Sequence, residues 1–534
     1  MTKDVKQNAD YIVIGAGAAG CLLANRLSAS KKHKVVLLEA GGKDWNPLIK
    51  IPLYAGFLYY LPSLNWKLQT IPQLGLSSRS IVWPRGKVLG GSTAINGMMY
   101  MRGQKRDYDS WGELGLEGWS FSELLQYFKA FEQNFSHSIR DGFHGDKGEL
   151  FTEKSKPKNE LYERWIDSAK LCGFEMNDDF NGKTQEGIGA YDFNIKHGHR
   201  VSAAKAFLEP IKSRENLEII THAHVKKLII DGNCCKGVEV KLREGDTSFY
   251  ANQEVILSSG TINSPKILQL SGIGDSTKLN KLGVKVKKDL PEVGQNLQDH
   301  IGIYLKYSCR KPVTLFGEMR PDRAIISFMR ALLFGTGPAS KVPLEVGGFL
   351  KTASNLERPD VHVTFVPGLS LSTSQSGQMQ HGFLTNAYQL RPESKGSISV
   401  KSSNPFDKPI IDPQYFSSEN DKKCLREAFK LIRKISLQPP LDEYRKLELS
   451  PGKEVEDDNE IDNWISETAD TIFHPVGTCR MGNDNKAVVN NELKLNGIQK
   501  LRVIDASIMP KITSGNTSIP TMMIAEKGAR MILE

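Results

Sequence analysis

The sequence predicts an α/β fold that opens on a doubly wound, dinucleotide-binding unit, with domains interleaved rather than strung in line. Three observations predict it. Residues 9–30, "ADYIVIGAGAAGCLLANRLSAS", join an apolar run, a glycine-rich turn and an apolar pattern of helical period. Residues 33–42, "HKVVLLEAGG", add a second apolar run that ends in an acid. The 534 residues hold no internal repeat, low-complexity tract or long polar linker, so distant segments return to shared cores.

Taken in order, Tyr11 to Ile14 suits a strand buried on both faces. The hexapeptide "GAGAAG" follows and fits GxGxxG. Gly15 allows the tight turn, Gly17 lets a phosphate approach the backbone, and Gly20 lets helix and strand pack closely. The helix that starts beside Ala18 and Ala19 offers free N–H groups and positive partial charge to a pyrophosphate. Glu39, at the end of the next strand and followed by Ala40, is placed to accept hydrogen bonds from ribose hydroxyls. The stretch 83–103, "WPRGKVLGGSTAINGMMYMRG", carries five glycines together with Ser92, Thr93 and Asn96. Backbone so rich in glycine lies flat against a large planar ligand or forms a structural loop.

Further strands are expected in 216–233, with a turn inside it, and in 254–260. Residues 281–290 end a surface helix and enter a strand; 501–510 begin as a strand; 518–534 become a helix after Pro520. The segment 324–337, "AIISFMRALLFGTG", reads as an amphipathic helix that packs on the body, covers a site or touches a membrane.

Composition narrows the classes. A formal net charge of +9 over this length is a mild excess, with no basic run interleaved with aromatics, so no nucleic-acid partner is expected. The seven cysteines show no CxxC spacing, so no metal or iron–sulfur site is expected, and they suit a reducing compartment. The opening "MTKDVKQNAD" lacks an apolar signal core, and no apolar run reaches the roughly 18 residues of a membrane span. A cytoplasmic protein is expected, with peripheral contact at the inner membrane left open by the charge and by 324–337.

These pieces together resemble the glucose–methanol–choline (GMC) oxidoreductases. The matching stretches are "GAGAAG" with Glu39, "RGKVLGGSTAIN" (85–96), "SSGTINSPKILQLSGIG" (258–274), "DLPEVGQNLQDH" (289–300), "HPVGTCRMG" (474–482) and "VIDASIMP…GNTSIPTMMIAEK" (503–527). They stand in family order across nearly the whole chain. The resemblance implies a Rossmann-like FAD-binding domain of the GMC type with an interleaved α+β substrate domain. The implied FAD segments are 1–155, 196–300 and 461–534, and the implied substrate segments are 156–195 and 301–460. It adds Arg85, Gly90, Gly91, Ser92, Asn96, Gly97, Val225, Asp505, Ala506, Asn516 and Thr517 to the expected FAD contacts. Some members tether the flavin through a histidine just before the loop asparagine. Here that residue is Ile95, so the FAD is expected to be non-covalent.

The same resemblance gives "FHPVGTCRMG" (473–482) its meaning. Alone, His474 is a core histidine bonded to backbone or a proton acceptor. An alcohol becomes a carbonyl by losing a hydroxyl proton and a hydride, and histidine titrates near neutral pH. Carried over from the family, His474 is the base and Asn516 holds the alcohol oxygen. Two further residues are expected at the substrate: Glu345, where choline-specific relatives place a carboxylate, and Trp66, as part of an aromatic wall. The resemblance implies oxidation of a primary alcohol, with electrons passed to a quinone or other acceptor. Choline oxidation is the alternative, followed by an oxygen-using alcohol oxidase or a fatty acid photodecarboxylase. The oligomeric state is not expressed in these patterns.

Overall fold

Two seven-stranded sheets organise the chain. The structure is a computed structural model describing residues 7–318, 320–369 and 380–534. In the first sheet the strands run in the order 217–221, 35–39, 7–14, 246–257, 234–241, 224–231, with 501–503 paired beside 246–257. Gln7–Ile14 is central and parallel to both neighbours. The strand Val35–Glu39 is buried along its whole length, which is why it reads as a continuous apolar run. The hairpin made by His224–Asp231 and Cys234–Lys241 closes one edge in antiparallel fashion.

The helices Ala18–Leu27 and Ser518–Leu533 pack together against this sheet. The second begins at Ser518, before Pro520 rather than after it. A proline in the first helical turn costs no hydrogen bond, because N–H groups there have no partner within the helix.

The second sheet is antiparallel and runs 445–450, 301–309, 382–389, 361–366, 346–350, 187–190. Its strands alternate strictly. Val363, Phe365, Phe383 and Ala387 join one core, which the helix Glu419–Ser436 covers with Leu425, Ala428, Phe429, Ile432 and Ile435. His362, Thr364, Val366, Leu384, Asn386 and Tyr388 point the other way and line a cavity between the two sheets. Asp470–Thr471 also pairs in this second sheet, so the chain returns to the first sheet later than the boundary expected at 461. No helix of the described residues is long and apolar enough to cross a membrane.

Candidate active site

The cavity measures about 440 Å³. At one end stands the first glycine turn. Gly15 adopts φ +100°, and a Cβ there would lie 2.6 Å from the Ser258 carbonyl oxygen. At Gly20 a Cβ would come within 1.8 Å of the Gly15 oxygen, so this glycine serves packing and does not line the cavity. Gly17 differs: a Cβ there meets nothing within 4 Å, because it faces the cavity beside Ala18 and Ala19. The Gly90 N–H donates to the Ala16 carbonyl at 2.8 Å, and Gly91 lies so close to Gly17 that a Cβ would come within 2.7 Å of its Cα. The two glycine-rich loops thus form one surface.

Glu39 is buried and accepts from the N–H groups of Ala16 (2.9 Å) and Gly41 (2.7 Å). Burial pushes its carboxyl up to about 7, against the pull of those two bonds. Beside it Ala40, Val225, His224 and Trp66 continue the wall. Trp66 was expected at the substrate. The structure instead packs its ring against His224, at 5.8 Å between centroids, with the Lys87 ammonium 4.7 Å from the ring. This belongs to the Glu39 end. Asp505 accepts from Gly260 N–H (2.8 Å), Ser264 Oγ (2.6 Å) and Ser507 N–H (2.8 Å), so it pins the helix Gly260–Leu270 at the cavity wall.

Ser92, Asn96, Gly97, Ala506 and Thr517 line the middle. Asn96 Oδ1 accepts from Met98 N–H (3.1 Å) and from Arg200 (2.8 Å). Arg200 is buried and also donates to the carbonyls of Ile49, Thr93 and Asn96, so it holds the loop from beneath. Burial pulls its guanidinium down to about 9. No motif in the sequence pointed to it.

His474 sits at the far end. Phe473 before it has φ +67°, a left-handed conformation costly for a bulky residue, by about 1–3 kcal/mol. Its surroundings enforce this: Arg85 donates to its carbonyl at 2.7 Å, Thr471 Oγ accepts from its N–H at 2.8 Å, and its ring meets Tyr59 at 5.1 Å. Pro475 disfavours the helical region for His474. The His474 N–H donates to Asp299 at 2.8 Å.

The imidazole is fixed by two contacts. Its Nε2 lies 3.0 Å from Asn516 Nδ2, and its Nδ1 lies 3.0 Å from His300 Nδ1. His300 Nε2 is 3.0 Å from the Leu390 carbonyl, which can only accept, so His300 carries its proton on Nε2. Burial pulls His300 down to about 3, so it is neutral and its Nδ1 accepts. His474 therefore donates from Nδ1 and presents a bare lone pair at Nε2 to the Asn516 amide. Burial, with His300, Arg85 and His362 nearby, holds His474 well below 6.5. Asn516 Oδ1 is buried without a hydrogen-bond partner.

His300 ends the stretch "DLPEVGQNLQDH", whose pattern assigns it no role; its contacts with His474 and Leu390 make it a positioning residue. His300→Leu is expected to lower kcat by roughly 10- to 100-fold through loss of a buried hydrogen bond, with FAD content unchanged. His300→Gln keeps an acceptor and is expected to restore most of the rate, as steady-state kinetics on the pair would check.

Around this end stand Tyr59, Tyr304, Leu344, Thr364, Val366, Leu384, Asn386 and Tyr388. None is charged. Among the described residues the acids lining the cavity are Glu39 and Asp505, both held by backbone N–H groups away from His474. Glu345, expected at the substrate, does not line the cavity. It is buried, its carboxylate 3.3 Å from the Lys341 ammonium, and only its neighbour Leu344 faces inward.

One other histidine group stands apart. His144 bridges Glu132 (3.1 Å) and Asp179 (2.9 Å), and His137 meets Asp192 (2.9 Å). Arg102 pairs with Glu132 at 2.7 Å beside them. The carboxylates hold these rings in an ion-pair network.

The residues fit FAD. Gly17 leaves open space where a pyrophosphate approaches, Glu39 keeps lone pairs free for ribose, and Asn516 Oδ1 awaits a donor. Ile95 is buried among Ile49, Leu58, Leu64, Val88 and Ala94 and offers no covalent tether.

Comparison with known proteins agrees with this fold. Two GMC oxidoreductase family models match residues 9–302 and 392–525. The chain is 38% identical to the oxygen-dependent choline dehydrogenase of Brucella anthropi, covering 98% of this chain and 95% of that protein. It is 40% identical to the alcohol dehydrogenase [acceptor] of Pseudomonas putida over the same shares of each chain. The crystal structure of pyridoxine 4-oxidase from Mesorbium loti superposes with a TM-score of 0.90 at 32% identity, covering 98% of this chain and 99% of that one. With both halves of the fold matched and the cavity built as an FAD site, this chain belongs to the GMC oxidoreductase family.

Proposed function

We propose that this enzyme oxidises a neutral, aliphatic primary alcohol to the aldehyde and passes the electrons to a quinone or other acceptor. The observation that carries the reading is the bare Nε2 of His474 facing the Asn516 amide at an end of the cavity where, among the described residues, no acidic side chain stands. By resemblance, a choline-specific site would set a carboxylate at Glu345 beside aromatic faces that hold the quaternary ammonium. The Glu345 carboxylate is turned to Lys341 instead.

Bound along the glycine loops, FAD supplies the hydride acceptor. The chain's own residues manage the proton. A hydroxyl that displaces the direct Asn516–His474 hydrogen bond accepts from the amide Nδ2 and donates to Nε2. As the proton moves to Nε2, the amide and the new imidazolium stabilise the oxygen. The Nδ1–H bond to His300 keeps the ring from turning, and the neutral His300 accepts that proton's hydrogen bond throughout. The surrounding Tyr59, Leu344, Val366 and Leu384 exclude water.

Because the folded site holds His474 well below 6.5, the base is already deprotonated at that pH. The kcat/KM profile is expected to stay flat through neutral pH and to fall only on further acidification. An apparent base pKa at or above 7 in a pH–rate series would contradict this. The scheme uses no metal, so activity is expected to survive exhaustive chelation followed by desalting. With Ile95 where a tether would sit, acid precipitation is expected to release all the FAD into the supernatant. The seven cysteines are all free, which suits a reducing compartment.

The deciding experiment mixes the holoenzyme anaerobically with octanol, ethanol, benzyl alcohol and choline, and follows the visible flavin band. Bleaching by octanol faster than by choline supports the reading. Faster bleaching by choline, lost in Glu345→Gln, would replace it with choline oxidation.

A further inference from the structure

We propose that the helix Pro321–Phe334, with the loop beside it, is a docking surface for an anionic lipid bilayer. The cavity would then draw its alcohol, and the enzyme its acceptor, from the lipid side. This consequence rests on the reading of an apolar alcohol; the docking itself does not.

The helix is apolar on two faces. Its inner face, with Phe328, Ala331 and Leu332, packs on Ile51, Leu53 and Tyr54. Its outer face should then be polar, as on an ordinary surface helix. Instead Ile325, Ile326, Leu333 and Phe334 are 61 to 72% exposed, with Met329 between them at 44%. Single exposed apolar residues are ordinary; five on one face are not.

The patch continues onto the neighbouring loop. The Tyr54 ring bridges Phe328 (5.8 Å) and Phe57 (5.5 Å). Phe57 and Tyr60 are themselves exposed. Tyr59, between them, turns inward, meets Phe473 and lines the cavity. One short loop therefore carries the outer patch and the wall of the substrate end.

Charge selects the occupant. Arg320, Arg323 and Arg330 flank the apolar face and are exposed; Arg320 pairs with the exposed Asp322 at 3.3 Å, so Arg323 and Arg330 supply the net positive charge. Apolar side chains beneath a rim of arginines match the acyl and headgroup layers of a bilayer bearing anionic lipid. The helix is far too short to span, so it lies in the interface plane. A second copy of this chain would set the same arginines against each other.

The test uses the FAD-loaded enzyme and vesicle co-sedimentation. Vesicles of phosphatidylcholine with phosphatidylglycerol are compared with phosphatidylcholine alone. Wild type is expected to bind the anionic vesicles more tightly. Ile325→Ser with Leu333→Ser is expected to weaken that binding roughly tenfold or more, and Arg323→Glu to erase the preference for anionic lipid. All three side chains are exposed, and FAD content and turnover of a water-soluble alcohol are expected to be unchanged. Equal partitioning of wild type and double variant would overturn the proposal. So would a dimer in sedimentation velocity that the double variant abolishes, with no vesicle binding; that result would assign the face to a second copy. If vesicle binding holds while octanol fails as substrate, the docking stands and the substrate reading falls.

Discussion

Replacing His474 by alanine is expected to lower kcat by about 10²- to 10⁴-fold while the purified protein stays yellow. The size follows from the geometry. His474 is the side chain whose bare nitrogen faces the Asn516 amide, and its proton-accepting state is set before substrate arrives. The FAD wall is built by other segments, so cofactor content is expected to hold. Anaerobic flavin reduction isolates the step, since it needs no acceptor. Loss of rate with KM little changed marks a group acting in the transition state. Asn516→Ala is expected to give a smaller loss, because it removes an oxygen-binding donor and leaves the base. A His474→Ala enzyme that reduces its flavin at the wild-type rate would remove the histidine from the chemistry.

The second large effect is at Gly17. Valine there is expected to abolish FAD binding while the chain still folds. The backbone at Gly17 has φ −84°, which any residue adopts, and an added Cβ clashes with nothing. The side chain would instead occupy the space that a pyrophosphate must enter. Gly20→Val supplies the contrast, because its Cβ would stand 1.8 Å from the Gly15 carbonyl oxygen and no side-chain rotation relieves that. Gly17→Val is expected to yield colourless protein with the circular dichroism and melting temperature of FAD-stripped wild type, and Gly20→Val little soluble protein. The two glycines stand in one hexapeptide yet act by different means, one by leaving room for a ligand and one by letting helix and strand meet. A yellow Gly17→Val protein would show that the pyrophosphate lies elsewhere.

The nucleotide end was legible because its requirements are local. A strand, a glycine turn and a helix follow one another within 9–30, and their patterns report backbone conformation directly. The alternation that faces His362, Thr364 and Val366 toward the cavity is equally local, but nothing in those residues says which face is the wet one. That depended on the helix Glu419–Ser436 covering the other side.

His474 and Asn516 stood out as a pair only through the resemblance, since 42 residues separate them. Sequence patterning accounts for the α/β opening and the glycine cradle, because period and glycine placement are written along the chain, and the resemblance carries the proposal of the proton-handling pair. Tertiary structure alone decided that Trp66 joins the nucleotide end, that Glu345 turns to Lys341, that Arg200 carries the flavin loop, and that His474 bares Nε2. That last outcome depends on His300, 174 positions away, and on the Leu390 carbonyl beyond it. The direction of a buried side chain and the seat of its proton are settled by whichever non-local partners satisfy its polar atoms, and no stretch of sequence holds both members of such a pair.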